Sequence, residues 1–106
     1  MFQSKISSVA RGAGEICLVD RSVAKLVERT QDRDAVRLAI IDLSLGSVDL
    51  GIDIPLLHQN FPKAKVLAYG AHVDVDRLSL AQECGADEVL TRGQMERDMV
   101  AIIQGT

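Results

Sequence analysis

Leu38-Ala39-Ile40-Ile41-Asp42-Leu43 is the stretch that decides the fold. Four apolar residues in a row are long enough for one strand and too short for a helix. Uninterrupted by polar residues, they read as a strand buried on both faces, as in a parallel sheet covered by helices. Asp42 stands where that strand runs out. In open α/β sheets, ligands and chemistry sit in the crevice beyond the carboxyl ends of the strands, so this acid is the first candidate functional residue. The plain alternative is an Asp that only ends a strand or caps the next turn.

Toward the amino terminus, Asp20 or Ser22 can cap a helix whose Val23, Leu26, Val27 and Thr30 share one face. Polar Gln31-Asp32-Arg33-Asp34 leads from it to the decisive strand. Upstream, Glu15-Ile16-Cys17-Leu18-Val19 reads as a short strand. Before that, Phe2, Ile6, Val9, Ala10 and Ala13 recur at helical spacing, with Gly12 and Gly14 as the stop.

Toward the carboxyl terminus, a Ser/Gly loop from Ser44 to Ser47 precedes a weaker helical pattern through Leu50, Ile54, Leu57 and Phe61. Proline is tolerated in a first helical turn and not deeper, so Pro55 places the start of that helix around Asp53, and Pro62 ends it. Lys65-Val66-Leu67-Ala68-Tyr69 is the next strand. Asp74 caps a helix carrying Val75, Leu78 and Ala81, with Gly85 as its left-handed terminator. Glu88-Val89-Leu90 is a short last strand, and Met95, Met99, Ile102 and Ile103 make a final amphipathic helix. Regular alternation with short connections predicts an α/β fold: a parallel sheet of four strands, right-handed crossovers and helices on both faces.

A chain of 106 residues without internal repeats or linkers is one domain. Its apolar content of 47% is nearly all aliphatic, with no Trp and only Phe2, Phe61 and Tyr69 as aromatics, which suits helices packed on a sheet. Net charge is −3, from 12 basic and 15 acidic residues spread along the chain, which argues against nucleic acid or an anionic membrane as partner. Cys17 and Cys84 have neither the number nor the spacing of a metal site or disulfide framework. With no membrane span and no signal-peptide core, buried reduced thiols and a cytoplasmic location are expected.

Other constellations have simpler readings. His72-Val73-Asp74-Val75-Asp76 can be read as a metal cluster, but Asp74 is better employed as an N-cap and Asp76 in the first turn of the same helix. Arg11-Gly12-Ala13-Gly14 follows a helix rather than a strand, the wrong setting for a dinucleotide loop. No Ser/His/Asp or Cys/His arrangement places a base beside a nucleophile: His58 reads as a half-exposed helix residue beside Leu57, and His72 as a solvent-exposed loop residue.

From Leu38 onward the sequence resembles a response-regulator receiver domain, with its CheY-like, flavodoxin-like three-layer fold. The resemblance is carried by Ala39-Ile40-Ile41-Asp42-Leu43, Phe61-Pro62-Lys63-Ala64-Lys65-Val66-Leu67-Ala68, Ala71-His72-Val73-Asp74 and Glu83-Cys84-Gly85-Ala86-Asp87-Glu88-Val89-Leu90-Thr91. It implies that Asp42 matches the phosphoacceptor aspartate. Phosphoryl transfer to an aspartate needs a divalent cation held by carboxylates, and the acidic pair that supplies them in receivers has no match here. The family's Ser or Thr at the end of its fourth strand is matched by Gly70. Its lysine next to a proline is matched by Arg92-Gly93, and its switch aromatic by Val89 or a neighbouring aliphatic.

The resemblance therefore implies a pseudo-receiver, not an enzyme: a protein–protein interaction module in signalling or regulation, without phosphotransfer and without a cofactor. The expected contact face is the crevice end, built from Asp42, Gly70, His72, Thr91 and Arg92, with Asp42 and Arg92 as a candidate ion pair. A homodimer through the helix–strand–helix stretch from Asp74 to Gln104 is a further expectation. The competing reading is a phosphoacceptor at Asp42 with bound Mg²⁺.

Receivers begin with a strand that lies in the interior of the sheet, between the second and third in the order 2-1-3-4-5. Here Met1-Phe2-Gln3-Ser4-Lys5-Ile6 is already helical in pattern. Two readings stay open: a natural protein that starts upstream of Met1, or a chain in which the segment from Glu15 to Val19 pairs directly with Leu38 to Ile41 or leaves a widened gap.

Overall fold

The computed structural model describes residues 2–15, 18–46 and 48–105. In chain order they form helix α1 (Phe2–Gly12), helix α2 (Val23–Arg29), a 3₁₀ turn (Arg33–Ala35), strand β1 (Leu38–Asp42), helix α3 (Leu50–Asn60), strand β2 (Lys65–Gly70), helix α4 (Val75–Glu83), strand β3 (Glu88–Thr91) and helix α5 (Arg92–Gly105).

Helix boundaries follow from side chains that take up the orphan backbone donors of a first turn. Ser22 Oγ accepts from Lys25 N at 3.3 Å to start α2, and Asp74 Oδ1 accepts from Arg77 N at 3.4 Å to start α4. Helix α3 starts at Leu50, not around Asp53. Asp49 accepts from Gly51 N at 3.1 Å while Asp53 reaches back to Asp49 N at 3.0 Å, and this reciprocal cap closes the first turn despite the proline behind it. Pro55 therefore lies inside the helix, where it removes one intrahelical bond. Helix α4 ends in a Schellman motif: Ala86 N donates to Ala81 O and Gly85 N to Gln82 O, both at 3.1 Å, with Gly85 at φ +105°.

Among the described residues the sheet has three strands, all parallel, in the order β1-β2-β3, rather than the four expected. The segment read as a strand over residues 15–19 is not one at Glu15, Leu18 or Val19, and residues 16 and 17 lie outside the described set. Two backbone groups of its described residues are used elsewhere. Glu15 N donates to Ala10 O at the end of α1 (2.9 Å), and Val19 O accepts from Arg29 Nη1 (2.8 Å). Among the described residues β1 is therefore at the edge of the sheet. Ala39 and Ile41 are buried, while Leu38, Ile40 and Asp42 on the opposite face are half-buried. The strand buried on both faces is β2, where every residue after Lys65 is inside.

The sheet divides the core in two, as period-2 alternation requires. Ala39, Ile41, Val66 and Ala68 pack with Val27 of α2, Ile54 and Leu57 of α3 and Ala81 of α4. Leu67 and Tyr69 pack with Ala10 of α1 and Met95, Met99 and Ile103 of α5, with Leu38 and Ile40 against them. Cys84 is half-buried against the first of these cores and is a free thiol; Cys17 is outside the described residues. No helix among the described residues is long and apolar enough to cross a membrane.

Candidate functional site

The parallel register brings the strand ends to one rim. Asp42 is level with Tyr69, Tyr69 with Leu90, and Gly70 with Thr91, after which α5 begins at Arg92. Asp42 Oδ1 accepts from Ser44 N at 2.9 Å and from Ser44 Oγ at 2.7 Å, an Asx turn that starts the loop after β1. Arg92 Nη2 stands 3.7 Å from the same oxygen, across the strand ends. The Arg92 and Asp42 side chains are 46% and 27% exposed, so solvent screens the pair and holds it to about 1 kcal/mol or less.

Tyr69 completes the cluster and was not singled out by the sequence. Its ring is 2% exposed, and its hydroxyl donates to the Asp42 carboxylate. Burial, and then the neighbouring negative charge of Asp42, push that hydroxyl well above its ordinary value, partly opposed by Arg92. Asp42 thus gathers one backbone donor, two hydroxyls and a guanidinium around a single carboxylate. A lone tyrosine in register with an acid at a strand end was the available signal.

Gly70 is buried, and close approach explains its identity. A Cβ there would lie 3.1 Å from Leu43 Cβ and 3.3 Å from Leu43 Cδ1. The space in which a serine or threonine would present a hydroxyl to the rim is taken by Leu43, which is itself 3% exposed and tied by its N–H to Tyr69 O at 2.9 Å. Arg77 reaches from the first turn of α4 to the same place. Its Nε donates to Leu43 O at 3.3 Å, and its Nη2 is buried without a hydrogen-bond partner among the described residues. Nothing in the local sequence marks Arg77 as different from an exposed helical arginine.

Thr91 is half-buried at the rim and is occupied as a cap. Its Oγ1 accepts from Gln94 N at 3.2 Å, while Gln94 Oε1 accepts from Thr91 N at 2.9 Å, the reciprocal capping box of α5. His72 is exposed in the turn closed by Asp74 N donating to Ala71 O at 2.9 Å, and it makes no hydrogen bond or ion pair among the described residues. Of the five residues singled out, the structure joins Asp42 and Arg92 directly, puts Gly70 and Thr91 on the same rim in other work, and leaves His72 outside the cluster. Among the described residues no group of three His, Cys, Asp or Glu side chains is placed to hold a metal ion.

No protein-family profile matches the chain, and no curated protein does. Among solved structures, the chain is similar to a response regulator protein from Burkholderia pseudomallei, solved with a phosphorylated aspartic acid, a calcium ion and citrate. The TM-score is 0.72 over 97% of this chain. The fold is that of a receiver domain. Sequence identity is 18%, and the chain spans 60% of the length of that response regulator. The fold is thus built here on a sheet whose described residues form three strands.

Proposed function

We infer that this chain is a receiver-like protein–protein interaction module of signal transduction or regulation, acting in the cytoplasm without phosphotransfer and without enzymatic activity. The observation that carries this reading is the engagement of Asp42. Its carboxylate is held by Ser44, Tyr69 and Arg92, and the position beside it where a hydroxyl would serve a phosphoryl group is Gly70 packed on Leu43. A cation would be needed to neutralise the transferring group, and one carboxylate does not hold Mg²⁺. The standing Asp42–Arg92 pair takes the place of a switchable charge, so the rim presents one constant surface to its partner.

Contacts with that partner run over the crevice end, through His72, Thr91 and Arg92, and onto the face of α4, β3 and α5 from Asp74 to Gln104, which also serves a homodimer. Within that stretch Val75, Leu80 and Val100 expose 62%, 41% and 52% of their surface. Incubation with acetyl phosphate and Mg²⁺, followed by intact-mass measurement, tests the reading: the expected mass is unchanged. A gain of one phosphoryl group that disappears in Asp42→Asn establishes the competing reading, a phosphoacceptor receiver.

A further inference from the structure

Helix α4 and the start of α5 leave a groove of about 200 Å³ between them beside β3, and every residue that lines it is among those described. On α4 its lining is Val75, Leu78, Ser79 and Gln82, which recur at three- and four-residue spacing and so form one stripe of the helix. Val89 packs with the core on one side of the sheet and Leu90 with the core on the other, so the groove passes over the outer edge of the last strand. Leu78, Val89 and Leu90 line it half-buried, and Val75 is 62% exposed. Asp76 and Glu83 stand three residues before and four after Ser79, beside that stripe on the helix surface. Both are exposed and without an ion pair among the described residues, whereas Glu88, Glu96 and Asp98 are paired with Lys65, Lys5 and Arg97. The helix dipole accounts for Asp76, in the first turn of α4, but not for Glu83. A carboxylate in the last turn opposes that dipole, and no basic residue lies in the turn to offset it.

We propose that this groove docks a basic segment of a partner protein, whose apolar side chains seat against Val75 and Leu78 while its lysines or arginines face Asp76 and Glu83; this choice of partner rests on the interaction-module reading above. Charge complementarity selects the occupant. Between Asp74 and Gln104 the chain carries seven acidic residues and three basic ones, against eight and nine in the remainder. A partner of opposite sign is steered to such a surface, and one of like sign is held off. A second copy seated in the groove about a twofold axis sets Asp76 and Glu83 against their own equivalents. A homodimer formed elsewhere in the stretch therefore leaves the groove to the basic segment. Asp76 and Glu83 lie two helical turns apart, roughly 10 Å along α4, and the cations of the segment are spaced to match.

The probe is an acetylated and amidated alanine-based helical peptide with two leucines and two lysines on one face. It is titrated at low ionic strength into the isotope-labelled protein and followed by NMR. The amides of Val75, Ser79, Gln82 and Leu90 are expected to shift, and those of Ala39 and Leu57 to stay in place. Added salt weakens the binding, and the same peptide with glutamate for lysine shifts none of the four. Asp76→Asn and Glu83→Gln each weaken binding roughly threefold, the scale of one exposed charge pair. Glu83→Gln melts no lower than the parent, since it relieves the end of α4, so its weaker binding is not a loss of fold. The inference is overturned if millimolar lysine peptide moves none of the four amides, if the glutamate peptide moves them equally, or if both variants bind as tightly as the parent. Shifts that appear with protein concentration alone, together with a doubled mass, assign the groove to a second copy and overturn it as well. A phosphoryl gain at Asp42 overturns the absence of phosphotransfer and leaves the peptide result standing, so the two failures read separately.

Discussion

Truncating Asp42 to Ala tests the cluster at the strand ends by removing the carboxylate to which the buried Tyr69 hydroxyl donates. Tyr69 is 2% exposed and donates to that carboxylate, so Asp42→Ala leaves a buried O–H unsatisfied, at a cost of about 1–3 kcal/mol. The Asx turn to Ser44 is lost with it. Tyr69→Phe removes the donor instead. The carboxylate keeps Ser44, Arg92 and partial access to water, and the loss is about 1 kcal/mol. In the double variant neither group is left orphaned, so its destabilisation falls short of the sum of the singles by about 1–2 kcal/mol. Urea unfolding followed by circular dichroism measures all four corners. Thermal midpoints give a second reading, since 1 kcal/mol moves the midpoint of a domain near this size by about 4–8 °C. Additivity within about 0.3 kcal/mol would refute a shared Tyr69–Asp42 bond, because independent sites add to that precision.

Three further expectations concern the rim and the sheet that carries it. Asp87→Ala removes the acceptor of the fully buried Val66 N–H, held at 2.8 Å, and lowers stability by about 1–3 kcal/mol; Asp87→Asn, which keeps a carbonyl oxygen, recovers more than half of the loss in the same melt. Gly70→Ser drives a Cβ to within 3.1 Å of Leu43 and costs about 1–3 kcal/mol, so a variant as stable as the parent contradicts the close approach. Because burial raises Tyr69, the folded protein keeps its proton where the unfolded chain loses it. Stability is thus insensitive to this group below the unfolded tyrosine value of about 10 and falls as pH rises above it. With one tyrosine and no tryptophan in the chain, the phenolate absorbance reads this group alone, and coincident native and urea-unfolded titrations would contradict it.

Local signals located most elements. Helical spacing with Ser22, Asp74 and Gly85 as punctuation put α2 and α4 in place, because caps act within a few residues of sequence. Where the expectation failed, the deciding partner lay far along the chain or a second local device outweighed the first. Residues 15–19 have the composition of a strand, but a strand exists only against a neighbour, and of the described residues there Glu15 bonds to Ala10 O and Val19 to the Arg29 side chain. An uninterrupted apolar run cannot separate a central strand from an edge strand, so β1 was given the double burial that belongs to β2. At α3 the Asp49–Asp53 cap overrode the proline rule. Within the site, the Asp42 and Arg92 positions were legible from the resemblance. The Tyr69 bond and the reach of Arg77 to Leu43 were not, since both span more than twenty residues and depend on register alone.

The division of the interior by the sheet has an evolutionary consequence. Ile54 and Leu57 on one side and Met95 and Met99 on the other belong to separate packed groups, with strand backbone between them. Volume changes in one group are relaxed by its own neighbours, and substitutions that share no partners add without interaction. A lineage carrying this fold can therefore re-tailor the α1 and α5 layer to a new partner, residue by residue, while the α2 and α3 layer retains its inherited packing. Compensating changes will be found within a layer and rarely across it.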